Sequence, residues 1–379
     1  MAEEVVRVLA AEHEITVLCG RPSYDPAERR PWRLWQRERV ECAKVIRVGS
    51  TDYPRFAMKR RVLNYLTYVA LSVPFALAVP CDLVLAMTDP PFEGIVGAFV
   101  ALLKGKPYVY NIRDMYPDMA VGGEIVAPGM LARIWEKLHR WALRRATRIV
   151  VLGNDMRARI LAKGIGSSRV AVVRDGTDLK SQVTEVDPEV VNAIRGDFRF
   201  VLLHAVNLGF YGAWNTIIDA AAKVAADGIG LVFVGDGAQR AQLQAAARSL
   251  RNVRFLPFFP ANKIPSVLAA ADAHIITIKR GLEGVVVPSK MYGILAAGKP
   301  ILAVSAKETD AASLSAQIGC GISADPDDPE EVAAQMKALA SDMMRCKAMG
   351  AAAQNAAGAY DKVAEARKFL EIVNEARHA

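Results

Sequence analysis

The sequence predicts an α/β protein made of two doubly wound, mainly parallel sheets facing each other across a cleft, and three observations lead there. The chain has 379 residues, more than one ordinary core organises, so two domains are expected. Apolar runs of strand length alternate with amphipathic segments along almost all of it. Those runs are continuous in hydrophobicity, the pattern of strands covered on both faces.

Taken in order, Glu3–Ala11 reads as a helix and Glu14–Leu18 as the first strand. A doubly wound domain ordinarily opens with a strand and a Gly-rich turn, and neither precedes this helix. Leu83–Met87, Pro107–Tyr110 and Arg148–Leu152 read as buried strands, and Leu131–Ala146 and Asn154–Lys163 as helices. The polar stretch Asp175–Asp178, followed by the charged residues Leu179–Asp197 with Pro188 among them, marks the linker. Then the rhythm repeats, with strands at Phe200–His204, Leu231–Val234, Val253–Phe255, His274–Thr277 and Pro300–Val304. Asn355–Ala376 reads as one long helix with Gly358 a weak point. The expected division is a Rossmann-like domain over 1–180, a second over 198–350, and a C-terminal helix over 355–379.

Composition narrows the function classes. Residues 1–180 carry 28 Lys and Arg against 19 Asp and Glu, and the remainder 20 against 21. A one-sided basic half suits an anionic partner, although a solvated basic face explains the same charges. The basic residues lack interleaved aromatics and no reading motif appears, so no nucleic acid is expected. The five cysteines (Cys19, Cys42, Cys81, Cys320, Cys346) are scattered, without a CxxC pair. That argues against a disulfide framework and against a zinc site, and it fits a reducing cytoplasm. The acidic, amphipathic opening residues do not read as a secretory signal, so none is expected. Val62–Pro80 is apolar but interrupted by Asn64 and Pro74, which makes it marginal for a membrane span. With Lys59, Arg60 and Arg61 ahead of it, it reads either as a helix lying on an anionic membrane or as a core helix.

The second half holds the chemistry. Leu231–Gly237 is a strand running into a tight turn, where Gly235 and Gly237 permit positive φ and close approach of a ligand to the backbone beside Asp236. Further on, the loop of Leu282–Pro300 carries Pro288 and feeds a helix at about Ser289, a reasonable N-cap. A helix N-terminus with Lys290 in its first turn suits a pyrophosphate; a capped helix with no ligand is the plainer alternative. Gly298 is expected to end the helix before a strand opened by Pro300.

The run VPSKMYGILAAGKPIL resembles a signature of family-four retaining glycosyltransferases of the GT-B fold. It is most similar to the subgroup of N-acetyl-fucosamine transferase-like enzymes of O-antigen and exopolysaccharide assembly. Ile15–Pro22, Asn111–Pro117, Arg148–Asp155, Arg174–Asp178, Asn207–Gly209, Leu231–Gly237 and Asn252–Leu268 resemble that subgroup in the same order, so the likeness covers nearly the whole chain. It implies a nucleoside-diphosphate sugar bound on the second domain, an acceptor on the first, and a last helix crossing back to the first domain.

Residue roles follow from the resemblance one at a time. Lys290 would stabilise the departing diphosphate, in a donor site shared with Ser289, Pro288, Gly209, Gly235, Asp236 and Gly237. Glu283 would approach the donor sugar. Asp114 would orient a sugar hydroxyl or assist the acceptor, beside Arg113, which stands where many relatives carry a histidine. Asp118 and Tyr292 are weaker candidates. Two departures stand out. Broader relatives carry a second glutamate in the helix that here holds Gly293, and relatives open with a strand and Gly-rich loop ahead of the helix with which this chain opens. A start assigned too far downstream, or a truncated and inactive chain, is expected from the second.

The expected activity is therefore transfer of a hexose or N-acetylhexosamine to a lipid-linked or glycan acceptor, in the cytoplasm or peripherally on the inner face of the membrane, in cell-surface polysaccharide synthesis such as lipopolysaccharide or exopolysaccharide. No metal or other cofactor is expected. The alternatives are a catalytically degenerate binding or scaffold protein and a sugar-nucleotide epimerase of the same fold.

Overall fold

A computed structural model describes residues 2–21, 32–53, 58–179 and 186–378; the side chains of residues 58–61, and with them the Lys59–Arg61 cluster, lie outside the described part. The first domain comprises α1 (Ala2–Leu9), β1 (Thr16–Cys19), β2 (Trp35–Val40), β3 (Ala43–Val48), α2 (Met58–Ala78), β4 (Val84–Ala86), α3 (Glu93–Lys104), β5 (Tyr108–Ile112), α4 (Asp118–Gly122), α5 (Met130–Arg145), β6 (Arg148–Val151), α6 (Asn154–Ala162) and β7 (Val170–Val172). Its strands form two sheets, ordered β1-β3-β2 and β4-β5-β6-β7. Within the described residues β1 pairs only with β3 and β4 only with β5. All pairs are parallel except β2 with β3, a hairpin turning at Glu41, whose φ is 48°.

The second domain opens with α7 (Pro188–Arg195) and continues through β8 (Phe200–Asn207), α8 (Trp214–Lys223), β9 (Ile229–Asp236), α9 (Arg240–Ala246), β10 (Val253–Leu256), α10 (Ile264–Ala270), β11 (Ala273–Thr277), α11 (Lys290–Ala296), β12 (Ile301–Val304), α12 (Asp310–Ile318), β13 (Gly321–Ala324) and α13 (Pro329–Ser341). Its six parallel strands run β10-β9-β8-β11-β12-β13, so the strand order reverses at β8, where open α/β sheets bind ligands. Ile229–Gly235 of β9 is buried at every position, as a strand covered on both faces requires. Helix starts follow local chemistry. Asp328 accepts the amides of Glu330 and Glu331 with Pro329 at the first helical position, and Thr309 accepts that of Ala312.

Two boundaries differ from the sequence expectation. Val190 and Ile194 of α7 pack into the core beneath β8, so the second domain begins before residue 198. The last stretch is two helices, α14 (Met343–Ala357) and α15 (Lys362–His378), not one. The break falls at Gly358–Tyr360, after which Asp361 caps α15 by accepting the amides of Val363 and Ala364. α15 crosses back to the first domain. Ala366, Phe369, Ile372, Val373 and Ala376 share a core with Val5 and Leu9 of α1, Val109 of β5 and Val150 of β6.

Candidate functional site

The segment joining β11 to α11 is a strap from the second domain sunk into the first. Leu282, Val285 and Val287 are buried in the first domain's core with Ile112, Met115, Met156 and Ile160. Met115 N–H donates to the Val285 carbonyl at 3.0 Å, and Asp114 forms an antiparallel bridge with Val286. Gly284 makes this possible. Its φ is +66°, and a Cβ there would lie 2.4 Å from the Asp155 carbonyl oxygen, so a side chain is excluded by both conformation and space.

The strap delivers the chain to Pro288, Ser289 and Lys290 at the head of α11. Ser289 does not cap. Its backbone is already helical, at φ −60° and ψ −24°, and its side chain makes no capping bond. α11 ends as expected, with Gly298 at φ +63° just beyond it. The Lys290 ammonium is surrounded by protein and lies 3.0 Å from both ring nitrogens of His204, a buried residue of β8. His204 Nδ1 lies 3.1 Å from the Ile275 carbonyl, a contact satisfied by the tautomer that carries its proton on Nδ1 and leaves Nε2 as an acceptor for Lys290. Burial, reinforced by the adjacent ammonium, drives the His204 pKa far down and holds the ring neutral. Desolvation pushes Lys290 down to about 7. The result is a cation that a neighbouring anion would stabilise strongly.

Across the domain boundary, Thr88 Oγ1 accepts the amides of both Arg113 and Asp114, fixing the turn after β5. Burial raises the Asp114 carboxyl to about 6, with Asp89 and Asp175 adding and Arg113 opposing. Its charge reaches Tyr211 in the β8–α8 loop, whose hydroxyl is raised mainly by burial and then by Asp114. Arg113 is occupied, donating through Nη2 to Asp175 Oδ2 at 2.7 Å.

The remaining candidates divide. Gly209, just beyond β8, accepts Trp214 Nε1–H on its carbonyl at 2.6 Å, and a Cβ there would lie 2.7 Å from the Tyr211 ring. Gly235 has φ +134°. The tight space at Gly237 is against the Leu208 carbonyl, 2.5 Å from a Cβ placed there, so this turn is pressed on the β8 loop by protein. Asp236 caps the amide of Gly237. Glu283 accepts the Gly281 amide through its carboxylate, and Arg159 Nη1 donates to its carbonyl. Asp118 is held in an ion-pair network with Arg159 (3.1 Å) and Lys163 (2.9 Å). Burial raises its pKa, but the two cations prevail and the net shift is downward. Tyr292 is buried in the core beside Tyr360, ring centroids 5.4 Å apart. The structure thus joins Asp114 to Tyr211 and to the strap, sets the Lys290–His204 pair at the strap's far end, and leaves Asp118 and Tyr292 in supporting roles.

Sequence reading missed His204, Asp155 and Asp310. Asp310 Oδ1 accepts the Asn154 amide at 3.0 Å, and Asp155 Oδ2 accepts the Asp310 amide at 2.9 Å. Arg174 Nη2 lies 3.0 and 3.1 Å from the two Asp310 oxygens. A cavity of about 910 Å³ opens between the domains, lined by Val62, Gly123 and Ile125 from the first and Phe210, Asn215 and Gln239 from the second.

Comparison with known proteins matches this architecture. Residues 1–176 match the family described as Glycosyl transferase 4-like domain, and residues 199–342 match Glycosyl transferases group 1. The chain is 25% identical over 311 residues to the putative colanic acid biosynthesis glycosyl transferase WcaI of Escherichia coli (strain K12), covering 78% of this chain and 76% of that protein. It is 26% identical over 258 residues to the probable glycosyltransferase WbjE of Pseudomonas aeruginosa, covering 66% and 64%. Among solved structures, Anabaena Alr3699/HepE in complex with UDP aligns with a TM-score of 0.65 at 20% identity, covering 88% of this chain and 86% of that one. The fold is GT-B.

Proposed function

We propose that this chain, a glycosyl transferase 4-like domain joined to a glycosyl transferases group 1 domain, transfers a sugar from a nucleoside-diphosphate sugar to a lipid-linked or glycan acceptor with retention of configuration. The observation that carries the reading is the Lys290 ammonium, desolvated beside a neutral His204 at the switch point of the second sheet and reached by the strap that contacts Asp114. A diphosphate there gains a cation that costs no reorganisation during the reaction. The bond from the anomeric carbon to the diphosphate oxygen breaks with its electron pair leaving on the diphosphate. The acceptor hydroxyl attacks from the same face, and its proton passes to the departing oxygen. Asp114 positions a sugar hydroxyl across the cleft, and Lys290 offsets the charge that grows on the leaving group. No step of this reading uses a metal.

The name of the Escherichia coli relative points to colanic acid, and the Anabaena structure holds UDP. Together they support a uridine-diphosphate sugar and a role in polysaccharide assembly. The test is incubation with a panel of hexose and N-acetylhexosamine nucleotides and a lipid extract. Mass spectrometry should find one lipid-linked product heavier by a single sugar, with the donor's anomeric configuration by NMR. An inverted product would overturn retention, and epimerised donor without transferred sugar would overturn transfer.

A further inference from the structure

We propose that the cavity between the domains is an acceptor subsite for a neutral glycan assembled before this enzyme acts, whose hydroxyls are read by Asn215, Gln239 and Gln242 of the second domain. The sequence pointed to the first domain alone for the acceptor. The cavity measures about 910 Å³. That is near the top of the roughly 300–1,000 Å³ usual for small-molecule sites and leaves room for more than one sugar ring. Gln239 and Gln242 stand about one turn apart at the head of α9, on the same side, and Asn215 lies in the first turn of α8. All three line the cavity, and among the described residues none of their side chains makes a hydrogen bond. An amide offers a donor and an acceptor together, the pair that a sugar hydroxyl answers. The first domain's part of the lining includes Val62 and Ile125, both apolar and exposed. A pyranose ring has the matching make-up, with hydroxyls at its rim and C–H groups on its faces.

The charges of the lining narrow the occupant. Lys279 lies 3.8 Å from Glu124 across the domain boundary, and Asp327 accepts from Arg280. The cavity's cation is thus answered by a carboxylate, so an acidic sugar or a phosphate gains little there, in contrast to the buried Lys290 beside its neutral histidine. A bare lipid chain would strip water from three amides and give them no partner in return, which is costly. The cavity also leads to the reacting groups. Phe210 lines it, and a Cβ at Gly123 would lie 3.4 Å from the Phe210 side chain, so the first domain's loop packs on this residue. The next residue, Tyr211, accepts the Lys279 amide on its carbonyl at 2.7 Å and carries the hydroxyl that the Asp114 charge reaches. A glycan held by the three amides would present its end to that loop, a placement that rests on the glycosyltransferase reading. The reaction that supplies this substrate is then an earlier sugar transfer onto the same carrier.

The test has a binding arm and a transfer arm, both on the full chain. In the first, the neutral oligosaccharides that mild acid releases from the lipid extract are titrated against the wild type and against N215A/Q239A/Q242A, with UDP binding as a control of folding. The wild type should bind them, and the triple variant should bind at least about tenfold more weakly with UDP binding unchanged. In the second, mass spectrometry of the product should show that the acceptor consumed already carries sugar, and the variant should need at least about tenfold more acceptor for half-maximal rate at an unchanged donor requirement. Glycan binding by a chain that transfers no sugar from any nucleotide would sink the proposed function and leave the subsite standing. Transfer onto a lipid phosphate that carries no sugar would do the reverse. The subsite is also overturned if the wild type binds none of the neutral oligosaccharides, or if the triple variant matches the wild type in both arms.

Discussion

Asp155 and Asp310 cap each other's helices across the domain boundary. α6 and α12 meet head to head, each lending its carboxylate to the other's first-turn amide, and Arg174 clamps the Asp310 side. Two carboxylates in one buried place would repel. Burial, with Asp310 nearby, lifts the Asp155 pKa, while the donated amides and the guanidinium hold the pair together. The arrangement ties the head of α12 in the second domain to the head of α6 in the first.

Removing Asp310 should therefore loosen the closed arrangement. Asp310→Ala takes away a cap and leaves a largely buried Arg174 without its carboxylate, a combined loss of about 3 kcal/mol. Urea denaturation should show that loss, and small-angle scattering should show a more open molecule. A variant as stable and as closed as the wild type would remove the cap from the account.

Donor binding should draw a proton from solution. With Lys290 down near 7, a good part of the population is neutral at pH 8, and a bound diphosphate raises that pKa. Calorimetry of UDP binding in buffers of different ionisation enthalpy should show uptake approaching one proton at pH 8 and less at pH 6. Lys290→Met should abolish the uptake and slow transfer by about a hundredfold or more.

Asp114 and Asp118 should separate under the same substitution. Asp118→Asn weakens the pairs with Arg159 and Lys163 and should lower stability by about 1–3 kcal/mol while largely sparing transfer in the folded fraction. Asp114→Asn removes a carboxyl whose charged form burial disfavours, so at neutral pH it should leave the melting temperature at or above that of the wild type and depress transfer. The reverse pattern would exchange their roles.

Glu93, in the first turn of α3, should shape the pH dependence of stability. Burial raises it to about 7, and its Oε1 has no hydrogen-bond partner among the described residues. The folded state thus holds a proton that the unfolded chain releases near the usual carboxylate range. This contribution is fully present below about pH 4 and is lost as pH rises toward 7. Glu93→Gln, which keeps the neutral shape at every pH, should gain on the wild type progressively from pH 4.5 to 7.5 in chemical denaturation. An unchanged difference across that range would exclude Glu93 as the titrating group.

The large architecture was legible because parallel strands buried on both faces leave short continuous apolar runs, and here these alternate with longer amphipathic segments. Elements without that signature were lost. β2, WQRERV, is charged and half exposed, and β13, GISA, is four residues long. Asn355–Ala376 hid its break because only the fold shows Asp361 restarting the helix. The strap's sequence marked the right segment, yet nothing in it says that Leu282 and Val285 belong to the other domain's core. Asp118 looked like Asp114 because its partners Arg159 and Lys163 lie more than forty residues away. His204 read as an ordinary core residue of an apolar strand; its contact with Lys290 joins positions 86 residues apart.

The return of α15 onto α1, β5 and β6 also sets an order of events during synthesis. The first domain's core needs Phe369 and Ile372, which leave the ribosome only after every strand of the second domain has been made. The second domain can condense on its own as it emerges, while the first waits with Val109 and Val150 uncovered. That interval is when a chaperone has most to cover.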